Sequence, residues 1–180
     1  NNCIIDTDLP CKKHKGKVRD TYDLEKFLLI AVTDRLSAFD RVLAAIPFKG
    51  QVLNQLSAWW CEQTKHIIDN HMIAIPSANV SLVKKCKVFP VEFIVRGYIT
   101  GSTNTSLWTH YNDGKRTYCG HDLPDGLVKN QVLPQPILTP TTKDALHDRP
   151  LSAQDILEQK LLTQEEWDNI SEKSLALFKF

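Results

Sequence analysis

The chain has 180 residues, 42% of them hydrophobic and 24% charged, with a formal net charge of +1. That length allows one good-sized core or two small lobes. The near-neutral balance argues against nucleic acid or an acidic membrane as partner, and no apolar run approaches the roughly 20 residues that span a bilayer.

The five cysteines (Cys3, Cys11, Cys61, Cys86, Cys119) are scattered, with no C-x-x-C pair. This points away from a disulfide framework or a zinc site and toward a reducing, cytoplasmic setting. The chain starts at Asn1 and stops at Phe180 on an amphipathic stretch, the pattern expected of part of a longer protein. In chain order, residues 18–24 and 27–34 read as two strands, the second carrying the apolar run Phe27-Leu-Leu-Ile-Ala-Val32. Gly50 precedes a helix expected over 51–70, with Val52, Leu56, Trp59, Trp60 and Ile67 as its buried stripe. Short strands are expected at 72–75 and 80–88, leading into a strand at 92–99. Residues 104–126 are rich in turn formers, with a hairpin expected around Asn112-Asp113-Gly114. Prolines 134, 136 and 140 enforce an extended segment. Ser152-Ala-Gln-Asp155 opens a second helix, and Thr163-Gln-Glu-Glu166 opens a third as a capping box. Strands first and helices later predict an α+β fold of two lobes, 1–90 and 91–180.

Several clusters could carry chemistry. Lys12-Lys-His-Lys-Gly-Lys-Val-Arg19 places five cations and a glycine at the start of a strand. This suits a phosphate cradle, with a solvated basic loop as the plainer alternative. Thr33-Asp-Arg-Leu-Ser-Ala-Phe-Asp40 follows the most apolar strand, where a rigid sheet positions loop residues; a helix cap with a surface ion pair is the competing reading. Lys49 stands beside Gly50. In Phe89-Pro-Val-Glu-Phe-Ile-Val-Arg-Gly-Tyr-Ile-Thr-Gly-Ser102, a spacing of four puts Glu92 and Arg96 on one face of a strand expected to be buried. They could neutralise each other or face a ligand, and the glycines with Thr100 and Ser102 favour an anion. Thr139-Pro-Thr-Thr-Lys143 adds hydroxyls and a cation, and Asp144, His147 and Asp148 fit no standard metal site. Together these anion-ready clusters suggest a pair of phosphorylated ligands.

The ordered set Gly16-Lys-Val-Arg-Asp20, Thr33–Asp40, Lys49-Gly50, Phe89–Gly97, Thr100-Gly-Ser102 and Leu138-Thr-Pro-Thr-Thr-Lys143 closely resembles the SAICAR synthetase family of purine biosynthesis. The resemblance runs in order from Gly16 to Phe180. It implies an ATP-dependent ligase that joins L-aspartate to the carboxylate of carboxyaminoimidazole ribotide, with ATP and Mg²⁺ as cofactors. It also implies a small antiparallel nucleotide lobe and an ATP-grasp-like second lobe, of which residues 91–180 are the first part.

Carried over by position, Lys15, Gly16, Lys17, Val18 and Arg19 cover the ATP phosphates. Lys87, Val88 and Phe89 lie near the adenine, with Glu92 close to the nucleotide. On the same resemblance Arg96 and Ser102 would bind the ribotide, Asp34, Ser37, Asp40 and Lys49 would line the substrate side, and Thr141 and Lys143 would contact substrate or aspartate. The family's acidic magnesium-binding segment is expected beyond Phe180, so no metal ligand is assigned within this chain. Where the family pattern reads His-Asp-Glu-Asn-Ile-Ser, this chain has His147-Asp-Arg-Pro-Leu-Ser152. The competing functions are a nucleotide-binding module without turnover and a kinase-like phosphotransferase. The second lacks the Asp-Phe-Gly and His-Arg-Asp signatures.

Overall fold

The computed structural model describes residues 2–38, 41–143 and 149–180, in two compact units, Asn1–Lys87 and Val88–Phe180. The first contains strands β1 (Lys12–Lys15), β2 (Arg19–Leu24), β3 (Phe27–Val32), β4 (Arg35–Ala38) and β5 (Arg41–Ala45), helix α1 (Lys49–Gln63), and strands β6 (Met72–Ser77) and β7 (Val80–Lys84). Its sheet is antiparallel in the order β1-β2-β3-β7-β6, and β4 and β5 form a separate hairpin. The second unit contains β8 (Val91–Glu92), β9 (Val95–Tyr98), α2 (Leu107–Asn112), β10 (Thr117–Tyr118), β11 (His121–Asp122), β12 (Val132–Leu138), β13 (Thr141–Thr142), α3 (Ala153–Glu158) and α4 (Gln164–Lys179). Here β9 pairs with β12, β8 with β13, and β10 with β11, all antiparallel. The fold is α+β.

Local signals translate directly into elements. Ser152 and Thr163 each accept the N3 backbone N–H, and Asp155 and Glu166 return the bond, so α3 and α4 begin on complete capping boxes. The expected hairpin at 112–114 is instead the end of α2: Leu107 and Tyr111, one turn apart, are both buried, and Gly114 (φ 85°) leaves the helix in the left-handed region. The two-residue turn lies at Cys119-Gly120, where both φ values are positive (50° and 81°).

Helix α1 departs further from expectation. It ends at Gln63, and its predicted stripe is turned outward: Val52 is 61% exposed, Leu56 50% and Trp59 52%. The buried positions are Gly50 and Asn54. Asn54 donates to Ala78 O (3.2 Å) and accepts from the Ser81 hydroxyl (2.6 Å), so a polar contact fixes the helix to the sheet. A Cβ on Gly50 would stand 2.2 Å from Val32 O, which is why the first turn needs glycine. Asp34, 3% exposed, holds that turn from outside the helix. Its Oδ1 accepts from Gly50 N (2.8 Å), its Oδ2 from Ile4 N (2.8 Å), and its carbonyl from Ile46 N (2.9 Å). The carboxylate thereby supplies the N-terminal cap and the negative charge that the helix dipole favours.

The Asp20–Arg35 pair, joining β2 to the start of β4, is 0% and 5% exposed. Asp20 Oδ1 accepts from Arg35 Nη2 at 2.8 Å, and Oδ2 accepts from Thr7 N (3.0 Å) and Thr7 Oγ1 (2.8 Å). Burial alone would raise the Asp20 carboxyl, but the bonds from Arg35 and Thr7 outweigh it and hold the group below the ordinary carboxylate range.

Two consequences are measurable. Gly50→Ala is expected to lower unfolding free energy by about 2 kcal/mol or more, read as a fall in urea midpoint. Asp20→Asn is expected to cost roughly 3–5 kcal/mol at neutral pH, since it leaves a buried guanidinium uncompensated. Because the folded pKa is depressed, the Asp20 contribution is complete above the unfolded value of about 3.9 and is lost as pH falls through the lower folded value. The gap in urea midpoint between wild type and Asp20→Asn should therefore be constant at neutral pH and narrow below about pH 4.

Candidate functional site

The basic sequence around Gly16 forms the β1–β2 hairpin, with Lys15 opposite Asp20 in register. Its loop is held by its carbonyls. Arg35 Nη2 donates to Gly16 O (2.9 Å), Arg35 Nε to Lys17 O (3.0 Å), and Thr33 gives both its N–H (3.0 Å) and its hydroxyl (2.8 Å) to Val18 O. Gly16 N–H closes the loop on Arg19 O (2.8 Å), and a Cβ on Gly16 would lie 3.0 Å from that oxygen. Lys15, Lys17 and Arg19 are exposed around it, Lys15 beside Asp6 at 3.0 Å. The result is a short loop with buried carbonyls and three exposed cations, suited to a polyanion.

Next to the loop, Val18, Arg19, Ile30, Val32, Asn54 and Ser81 are among the residues around a cavity of about 260 Å³ between the sheet and α1. Apolar walls with a few fixed polar groups are typical of small-molecule sites.

The TDRLS segment plays a different part from the one its charges suggest. Both carboxylate oxygens of Asp34 are taken by backbone N–H groups, and Arg35 is buried. Ser37 is half-buried in β4, and Lys49, also half-buried, begins α1. Asp40 lies outside the described residues, as do Asp144, His147 and Asp148.

In the second unit the chain is not one continuous strand through Glu92 and Arg96. β8 stops at Glu92 and β9 begins at Val95; between them Ile94 O accepts Thr139 N–H (2.8 Å). Glu92 is exposed, not buried as expected, because its partner strand is only the two residues of β13. Its carboxylate stands 3.6 Å from Lys143 Nζ, and Thr141 is its register partner. Arg96 is half-buried and donates its Nε–H to Thr139 Oγ1 at 3.0 Å. It does not pair with Glu92; the break in the strand separates them.

Thr139, 1% exposed, is the residue that sequence reasoning passed over here. Only its place in the Thr-Pro-Thr-Thr run marked it. The Thr141 hydroxyl is buried without a hydrogen-bond partner among the described residues, a group that a ligand could satisfy. Thr100 Oγ1 is committed to Asn130 Oδ1 (2.6 Å), whereas Ser102 is exposed. Gly101 (φ 112°) is required by its conformation and by Ser106, whose Cβ would lie 2.4 Å from an added methyl. Lys87 and Val88 are exposed, and Phe89 packs on the cluster of Val91, Leu151, Ile156 and Leu162.

A second cavity, about 540 Å³, is lined by Cys119, His121, Gln135, Ser152 and Trp167 among others, and holds none of the candidate ligand-binding residues. Burial pushes the Cys119 thiol up to about 11, so at neutral pH it is no nucleophile.

The chain matches known proteins over most of its length. The model of a family described as SAICAR synthetase matches residues 12–180. The phosphoribosylaminoimidazole-succinocarboxamide synthase of Legionella pneumophila (strain Paris) is 58% identical over 178 residues, covering 98% of this chain and 57% of that protein. The chloroplastic enzyme of that name from Arabidopsis thaliana is 56% identical over 186 residues, covering 100% of this chain and 45% of that protein. The chain thus spans about half the length of these curated relatives. Among solved structures, SAICAR-synthase from Saccharomyces cerevisiae complexed with SAICAR superposes with a TM-score of 0.83 at 31% identity, over 98% of this chain and 64% of that one. A SAICAR synthetase in complex with ADP shares the fold, with a TM-score of 0.73 at 22% identity, covering 93% of this chain and 66% of that one. The chain belongs to the SAICAR synthetase family.

Proposed function

We propose that this chain supplies the nucleotide-binding and ribotide-binding surfaces of an ATP-dependent ligase that joins L-aspartate to carboxyaminoimidazole ribotide, giving SAICAR, ADP and phosphate. The observation that carries this reading is the hairpin loop 15–19, carbonyls buried and cations exposed, in a chain 58% identical to a synthase of that name.

The chemistry accounts for the charges. A carboxylate oxygen is a poor leaving group, so the ribotide carboxylate first attacks the γ-phosphorus of ATP, forming an acyl phosphate and breaking the bond to ADP. The unprotonated aspartate amine then adds to the acyl carbon. Phosphate departs with its bonding electrons, and the nitrogen loses a proton to give the amide. Every reactant is anionic, so cations are needed to hold them together.

On this reading Lys15, Lys17 and Arg19 surround the ATP phosphates, and the 260 Å³ cavity beside Val18 takes the base. Lys87, Val88, Phe89 and Glu92 complete the nucleotide contacts. Arg96 binds the ribotide phosphate with Ser102. Thr139 occupies only its Nε–H, which leaves most of its five donors for the anion. Lys143, Thr141, Ser37, Asp40 and Lys49 serve the substrates. Asp34, with both oxygens committed to the backbone, is assigned to holding that side of the site in shape. Among the described residues no three His, Cys, Asp or Glu side chains gather as a metal cage, so they do not fit a protein-held magnesium site. On this reading magnesium would accompany the nucleotide phosphates.

Two experiments check this reading. ADP release is measured with Mg-ATP, L-aspartate and the carboxylated ribotide, omitting each in turn. Release that requires both other substrates establishes the ligase; nucleotide binding without turnover reduces the chain to a binding module; neither overturns the loop assignment. In the binding arm, Lys17→Ala is expected to weaken ADP about 10- to 100-fold, the cost of a lost charge-assisted hydrogen bond. Arg96→Ala should weaken the ribotide by about the same factor and leave ADP affinity within about twofold. Equal losses for both ligands would show that Arg96 acts on the fold and not on the ribotide.

A further inference from the structure

Arg35 is too deep to touch a ligand, at 5% exposure, yet most of its donors are spent on one small loop and its surroundings. Nη2 reaches Gly16 O and Asp20 Oδ1, Nε reaches Lys17 O, and Nη1 reaches Ile5 O at 2.7 Å. Thr33 takes the next carbonyl, Val18 O, twice. Three consecutive carbonyls are therefore turned toward the interior. Among the described residues no peptide bond is cis, and in a trans peptide the N–H points opposite to the C=O. The N–H groups of Lys17, Val18 and Arg19 are consequently turned away from the guanidinium, three in succession, the arrangement that makes an anion-binding concavity.

We propose that Arg35, with Thr33 beside it, is the positioning residue of this loop. It touches no ligand, and holds three carbonyl dipoles inward so that the amides meet the phosphates. Asp20 holds the guanidinium in place, and the Ile5 carbonyl closes its outer side. Without the guanidinium, Gly16 O and Lys17 O lose their partners, and either carbonyl rotating outward replaces an attractive N–H with a repulsive oxygen. Lysine cannot substitute. Its single nitrogen keeps the charge opposite Asp20 but cannot span Gly16 O, Lys17 O and Ile5 O together. The proposal rests on the reading that loop 15–19 binds nucleotide phosphates.

The test is calorimetric titration of the 180-residue chain with ADP, together with amide hydrogen exchange, for the wild type and four variants. Lys17→Ala reports on the phosphate reading itself. Leu82→Ala lies on the sheet face opposite the cavity residues Ser81 and Val83, and supplies a general loss of stability as control. Arg35→Lys is expected to weaken ADP about tenfold or more and to speed exchange at Gly16 and Thr33, whose N–H groups are bonded to Arg19 O and Val18 O, beyond anything Leu82→Ala does at matched thermal stability. Thr33→Val removes only the hydroxyl on Val18 O and is expected to weaken ADP about threefold. It keeps the test open should Arg35→Lys not fold. If Lys17→Ala weakens ADP while Arg35→Lys and Thr33→Val bind like the wild type, or like Leu82→Ala, the positioning role is overturned. If Lys17→Ala itself binds like the wild type, the phosphate reading falls, and the proposal with it.

Discussion

The first unit is organised by one constraint, the burial of a guanidinium. A buried arginine must have its charge balanced and its donors filled, or its desolvation cost stands uncompensated. Arg35 meets this requirement through the Asp20 carboxylate and three carbonyls from two separate stretches of chain. The N-terminal segment, the β1–β2 hairpin and the start of β4 are thus tied to a single planar group. Replacing such a pair with apolar residues is often neutral or stabilising. Its value here lies in where it puts the carbonyls.

Asp34 does for helix α1 what Arg35 does for the loop. Side by side in sequence, they point to opposite tasks: one gathers backbone N–H groups, the other backbone C=O groups. Two adjacent charged side chains therefore set the backbone dipoles on either side of one end of β3, the end at Val32. The second unit uses a neutral residue for the corresponding work. Thr139 accepts from Arg96 Nε, and its N–H and hydroxyl both reach Ile94 O, bridging the gap between β8 and β9.

How much of this was legible depended on how local the signal was. The capping boxes of α3 and α4 are complete within four residues, and both helices start where Ser152 and Thr163 place them. The apolar run of β3 and the prolines of β12 were equally plain. Helix α1 was misjudged because its apolar stripe invites burial, whereas the contact that fixes it is an asparagine 27 residues from its serine partner. Glu92 looked buried from its neighbours, but the strand breaks one residue later. Of the candidate site, the loop cations and Arg96 could be found from charge beside glycine. The guanidinium beneath the loop could not be assigned a role, since its partners lie at residues 5, 16, 17 and 20. Asp40 and the run 144–148 lie outside the described residues.

Gly97 was one of the glycines that favoured an anion beside Arg96, and the structure shows what lies against it: a Cβ there would meet the Phe178 ring at 2.9 Å. β9 therefore presents Arg96 on one face while its next residue is the seat of an aromatic ring from the end of α4. Alternation along the strand puts the two side-chain positions on opposite faces. Any side chain at position 97 would have to displace that ring, so the residue next to Arg96 is held to glycine by the last turn of α4.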